Sequence, residues 1–264
     1  MSINSFTWHD LAAGVLMLAL GAYFVVRHRR GPDRLVNVLF AAFLACSSLG
    51  SMNVFFMDNL VPAGNPAANN TLAQYLTTWL IQANYTVGIL AMPIQLHFVV
   101  RYCQLRNLLA RHIGWAYMVA VCLTPLVWLP SFARSRAVPL EFTSSWVCAV
   151  PWMPEVSPWS GAFVLIWLSV QVYTQIALWR YRRGEVGRVR FGLHASVVQL
   201  FLIVEAGGVV LSVLNGSLGY TGPDPHPVSA LVAGGVLLAA IRSGRTQRSA
   251  LRYQRLDSGG LPVR

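Results

Sequence analysis

The chain has 264 residues, of which 55% are hydrophobic and only 11% charged, with a mean hydropathy of +0.53. Soluble domains carry roughly 25% charged residues, so a water-soluble enzyme domain is excluded. The net charge of +11 rests on twenty arginines and no lysine, which also excludes Schiff-base chemistry, retinal attachment included.

Apolar runs long enough to cross a bilayer as helices, at roughly 20 residues each, fall at 10–27, 35–57, 76–101, 113–131, 161–180, 193–215 and 226–242. Their length and lack of alternation predict helices rather than barrel strands, since backbone polar groups in lipid must be satisfied internally. The expected fold is therefore an all-α integral membrane protein, a seven-transmembrane bundle over 1–242 with a basic tail over 243–264. The first run is expected to be a span and not a signal peptide. No positive charge precedes it, and Arg27, Arg29 and Arg30 follow it.

Eighteen of the twenty arginines follow the first, third, fifth and seventh spans, while Arg134 and Arg136 alone lie on the opposite side. Cytoplasmic loops are enriched in Arg and Lys, so the N-terminus is expected outside, the C-terminus in the cytoplasm, and the location a cell inner (plasma) membrane crossed several times. Arginines at helix ends in short loops meet anionic headgroups first. The lipid bilayer is thus the expected partner, and nucleic acid is not. The tail over 242–255 is read as a short amphipathic helix lying on the inner leaflet, with a solvated tail as the alternative.

Among the outer loops, 58–74 is polar, 215–227 reads as turns, and 131–160 is long and aromatic, with Trp146, Trp152 and Trp159. Interfacial anchoring is the expected role of these tryptophans; a loop folded over the mouth of the bundle is the other reading. Cys46, Cys103, Cys122 and Cys148 give no disulfide framework, because only Cys148 is outside.

Ionisable and amide side chains inside spans mark the candidate sites, because each is costly in lipid. Glu205, mid-way along the sixth span, shares a helical face with Gly208, Val209 and Ser212. It is read either as a ligand contact, proton-sensitive switch or ion site, or as an interhelical hydrogen-bond donor. Asn84, Gly88 and Gln95 fall on one face of the third span, His97 lies near its end, and Gln171 and Gln175 are one turn apart in the fifth. The expectation is a polar core shared by spans three, five and six, with interhelical bonding as the alternative role of the amides. Pro93, Gly207 and Gly208 are the candidate flex points. The six histidines show no i, i+3 or i+4 pairing, so neither a metal nor a haem is expected. No nucleophile elbow, phosphate loop or carboxylate pair points to an enzyme.

The stretch Leu90-Ala91-Met92-Pro93-Ile94-Gln95-Leu96-His97-Phe98 at the end of the third span resembles the N-terminal seven-transmembrane sensor region of bacterial histidine kinases. Arg34-Leu35-Val36-Asn37 before the second span and Arg252-Tyr253-Gln254-Arg255-Leu256-Asp257 after the seventh extend the resemblance. It implies a non-enzymatic sensor or receptor-like module. In that family a signalling domain follows the seventh span; here 22 residues follow Arg242, so the resemblance implies a stand-alone sensor region acting on a separate cytoplasmic signalling protein. Two other readings stand beside it: a small-solute or proton transporter using Glu205, and a structural subunit with a membrane-complex partner.

Overall fold

The computed structural model describes residues 8–27, 33–60, 71–137, 152–156, 159–183, 189–190, 193–218 and 225–257. Its body is all-helical: α1 (Trp8–Arg27), α2 (Arg34–Leu60), α3 (Thr71–Tyr102), the single turn α4 (Leu108–Arg111), α5 (Ile113–Val127), α6 (Trp159–Arg183), α7 (Ala195–Leu218) and α8 (Pro225–Asp257). Two minimal antiparallel ribbons join helices, β1 (Ala133–Ala137) with β2 (Trp152–Val156), and β3 (Val189–Arg190) with β4 (Leu193–His194). In the first, Arg134 stands opposite Glu155, and β1 packs against α3. This ribbon occupies part of the long aromatic loop; Trp146 and Cys148 lie outside the described residues.

Among the described residues, five helical stretches are long and apolar enough to cross a membrane: Trp8–Val26, Arg34–Phe56, Thr78–Tyr102, Gly161–Arg183 and His226–Ser243. Two shorter apolar stretches, Ile113–Val127 and Ala195–Leu211, accompany them. These are the features of a multi-pass membrane protein. The fourth run, expected over 113–131, stops at Val127 as a helix. Pro125 lies in its last turn and Pro130 follows, and the chain tightens there through Trp128 N–H to Pro125 O at 3.1 Å and Leu129 N–H to Leu126 O at 3.3 Å. The last helix runs the other way, past the expected end at 242, unbroken to Asp257.

Six of the helices form a closed cycle. α1 packs on α2 and α8, α2 on α3, α3 on α6, α6 on α7, and α7 on α8. One core fills this cycle, with Met17 and Phe24 of α1, Phe40 and Leu44 of α2, Phe98 and Tyr102 of α3, Leu178 of α6, Phe201 of α7 and Leu237 of α8. Phe40 is its hub. Its ring meets Phe24 at 5.1 Å, Phe98 at 4.9 Å and Phe201 at 5.6 Å between centroids, tying four helices together. α5 contributes nothing to this core. It packs on α3 over a separate cluster built from Ile81, Ile89, Ala120, Val127, Phe132 and Phe163.

Small residues set how closely α1 approaches its neighbours. A Cβ on Gly14 would stand 2.6 Å from Met52 Cγ, and one on Gly21 would stand 3.2 Å from Ala41 O. Without a water-driven attraction between helices in lipid, such close backbone contact supplies the packing. Ser48 adds to it by donating to Gly14 O at 2.7 Å. The opposite faces of these helices are apolar and open, as at Val15, Leu18, Val119, Val121 and Leu165, where lipid tails are the fitting neighbour.

α3 ends in a Schellman cap. Leu105 N–H reaches Val100 O at 3.0 Å and Gln104 N–H reaches Arg101 O at 3.4 Å, with Gln104 held at φ 53°. The following turn α4 is capped by Asn107, whose Oδ1 accepts from Ala110 N–H at 3.0 Å.

Candidate functional site

Glu205 sits in the middle of α7 with only 6% of its surface exposed. Its partners are on α2 and α8. The Ser47 hydroxyl donates to Oε1, and His226 Nε2 lies 3.4 Å from the same oxygen. The second oxygen, Oε2, is buried and has no hydrogen-bond partner. One carboxylate thus ties three helices through a single oxygen and leaves the other bare.

The residues that make this possible are local choices of size. Gly208, one turn beyond Glu205, brings α7 against the start of α8: a Cβ there would lie 3.1 Å from His226 Cα and would overlap the Ser229 side chain. The Ser229 hydroxyl donates to His226 O at 2.7 Å, holding the first turn of α8 together. The first turn of α8 therefore docks at the middle of α7, which carries His226 down to the level of Glu205. On the facing side, a Cβ on Gly50 of α2 would stand 3.5 Å from His226 Cε1 and 3.6 Å from Asn84 Oδ1. Asn84 of α3 thereby joins the edge of the cluster. Ser47, Gly50 and Ser51 share one face of α2, and the Ser51 hydroxyl is fully buried without a hydrogen-bond partner.

The remaining polar residues do not join Glu205, so the single polar core expected among the third, fifth and sixth spans is replaced by separate groups. Gln95 and Gln171 form a reciprocal amide pair between α3 and α6, with Gln95 Nε2 to Gln171 Oε1 at 2.8 Å and Gln171 Nε2 to Gln95 Oε1 at 2.9 Å. The hydroxyl of Thr174 receives a longer bond from Gln95 at 3.4 Å. This pair satisfies itself and acts as a clasp. Gln175, a turn further on, is not part of it, and both polar atoms of its amide are buried without a partner.

His97 faces α5 instead of the cycle of six. Its Nδ1 lies 3.1 Å from the Tyr117 hydroxyl, and Arg101 Nε donates to its Nε2 at 3.4 Å. A guanidinium only donates, so Nε2 is the acceptor and the imidazole proton sits on Nδ1, donating to Tyr117. His97 is thus a polar attachment of α5 to α3, as is Thr86, which accepts from Trp128 Nε1 at 3.0 Å at the end of α5. The helix passes through Pro93 without ending there. Gly207 has nothing within 4 Å of a built Cβ, whereas Gly208 is a close-approach position. Among the described residues no three His, Cys, Asp or Glu side chains gather as a metal site.

Ser47 and His226 are the residues that sequence reasoning missed. Ser47 belongs to Ser47-Ser48-x-Gly50-Ser51, a run of small residues whose shared face was its only signal. His226 follows a Pro- and Gly-rich stretch and read as part of a turn, yet it is the second residue of α8. The Pro225 start was the available clue, since proline favours the first turn of a helix.

The sequence matches no protein-family model, and no curated protein is significantly similar to it.

Proposed function

We propose that the chain is a non-enzymatic sensor-like module of a bacterial inner membrane, with seven spans, an outer N-terminus and a cytoplasmic C-terminus. Its state is set at the Ser47–Glu205–His226 cluster and passed along α8 to a separate cytoplasmic signalling protein. The observation that carries the reading is the continuity of α8 from its second residue, His226, beside Glu205, to Asp257. A helix rises about 1.5 Å per residue, so a displacement of His226 is delivered to the arginine-rich end roughly 45 Å away without an intervening joint. The one-sided distribution of arginines supports the orientation. The likeness of the Pro93–Phe98 stretch to sensor regions of histidine kinases supports the class. α5 and α7 complete the seven spans, with α5 lengthened by the turns at both of its ends.

The test is recovery of the intact protein from its native membrane in mild detergent, as wild type and as Glu205→Gln. The reading expects a cytoplasmic signalling protein to co-purify and its yield to change by several-fold in the variant. Equal recovery in both forms, or recovery of membrane-complex subunits alone, overturns it. A second reading, transport of a small solute or proton, draws on the bare Oε2 of Glu205. It requires flux in reconstituted liposomes that Glu205→Gln abolishes.

A further inference from the structure

We propose that the part of α8 beyond the membrane is a docking surface for the acidic face of a helix on a cytoplasmic protein, matched to it by four arginines in register. The inference deepens the sensing reading by naming the chemistry of its partner, and rests on that reading only for the side of the membrane. The apolar stretch of α8 ends at Ser243, and the helix passes through Gly244 and continues unbroken to Asp257. Along this extension Arg245, Arg248, Arg252 and Arg255 follow one another at i, i+3, i+7 and i+10. With 3.6 residues per turn, the four positions fall within about 80° of arc, on one face of the helix. Leu251 and Leu256 lie at the two edges of that face, and Gln247 and Gln254 lie away from it. This is the spacing at which one helix meets another along a common seam.

The chain cannot neutralise this stripe by itself. On the arginine-rich side of the bundle its acids are Asp33, Glu185 and Asp257, against eighteen arginines. A second copy would bring a like-charged stripe. Lipid reaches only the first turn. The headgroup zone adds roughly 5–8 Å beyond the hydrocarbon on each side, and the attraction of an anionic leaflet fades within a Debye length of about 8 Å. At about 1.5 Å per residue, Arg252 and Arg255 stand roughly 14–18 Å beyond Ser243 along the helix. A helix lying flat on the leaflet would need a break after residue 243, and α8 has none there. Nucleic acid fits less well, because duplex binders typically spread over about 6–10 phosphate contacts. Four arginines in one row, edged by two leucines, suit a protein face with a row of carboxylates and an apolar margin, where complementary charge fixes partner and register.

The experiment measures binding of a labelled synthetic helical peptide to the intact protein in neutral phosphatidylcholine nanodiscs. One peptide carries glutamates at i, i+3, i+7 and i+10; its isomer has the same composition with the glutamates spread around the helix. The matched peptide is expected to bind about tenfold more tightly than the isomer, since both have the same charge and only one has the register. The preference is expected to vanish when Gln247→Arg, Arg248→Gln, Arg252→Gln and Gln254→Arg are combined, which keeps the net charge and moves two arginines off the stripe. Equal binding of the two peptides to the wild type overturns the proposal, whether or not that variant folds. Tighter binding of a single-stranded oligonucleotide of the same charge overturns it in favour of nucleic acid. Trypsin is expected to cut after Arg252 and Arg255 as fast in phosphatidylglycerol discs as in neutral ones; protection by phosphatidylglycerol overturns the proposal in favour of the lipid surface. Register-selective binding with partner recovery indifferent to Glu205 keeps the docking surface and removes the sensing reading. Glu205-dependent recovery without register preference does the reverse.

Discussion

His226 Nε2 and Glu205 Oε1 lie 3.4 Å apart across the α7–α8 interface, and this pair joins the middle of one helix to the first turn of the next. With Ser47 on the same oxygen, it makes Glu205 a shared fastening of α2, α7 and α8. Removing one partner of a buried polar contact leaves the other unsatisfied, at a cost of about 1–3 kcal/mol. His226→Leu is therefore expected to lower the thermal unfolding midpoint in detergent strongly. The double variant with Glu205→Gln is expected to recover much of that loss, as a double-mutant cycle would measure.

The two neighbouring glycines of α7 predict opposite signs. A Cβ at Gly208 meets the backbone of His226 and the side chain of Ser229, neither of which can retreat easily. Gly208→Ala is expected to destabilise by about 1–3 kcal/mol, the usual range for overpacking. At Gly207 the same Cβ meets nothing within 4 Å, so Gly207→Ala is expected to stabilise by up to about 1 kcal/mol through helix propensity. Thermal midpoints of the two purified variants check the pair of signs.

How much of this was legible beforehand differs from residue to residue. Glu205 stood out because an acid inside a long apolar run has few structural excuses. The long helices stood out by length alone. The partners of Glu205 did not, because helical periodicity fixes which residues share a face and leaves open which neighbour that face meets. Asn84, Gln95, Gln171 and Glu205 therefore looked like one core, whereas the rotation of α3 and α6 pairs Gln95 with Gln171 and leaves Glu205 to Ser47 and His226. His226 was hidden by composition: prolines and glycines before it read as a turn, and only the depth at which α8 starts brings it to Glu205. The segment after 242 is basic and polar, so the seventh span reads as ending there, with a separate amphipathic helix or a solvated tail beyond it, whereas α8 continues unbroken to Asp257.

The Gln95–Gln171 clasp predicts non-additivity. Replacing Gln95 by leucine leaves the Gln171 amide buried without this partner, and replacing Gln171 leaves Gln95 only its longer bond to Thr174, each at a cost of about 1 kcal/mol, within the range for interhelical bonds in membranes. Replacing both removes the orphan, and the double variant is expected to be near wild type. Unfolding of the four forms in micelles checks this.

Gln104 holds a left-handed conformation at the end of α3, with φ 53°. A residue with a Cβ is penalised there by roughly 1–2 kcal/mol relative to glycine. Gln104→Gly is expected to stabilise the protein by about 1 kcal/mol, and Gln104→Val to destabilise it, both read from thermal midpoints.

At the hub of the core, Phe40→Ala is expected to open a cavity facing Phe24, Phe98 and Phe201. Its cost is expected near the low end of the soluble-protein range, about 3 kcal/mol, since lipid supplies no hydrophobic driving force between helices. Guest-gas binding to the cavity, together with the thermal midpoint, measures it.

The most direct test of the account is hydrogen–deuterium exchange of the intact protein in lipid nanodiscs, wild type against Glu205→Gln at one pH. The account predicts a change in protection that starts at His226 and continues along α8 through 243–257, with α5 unaffected. Identical exchange along α8, or a change confined to α7 around residue 205, contradicts it.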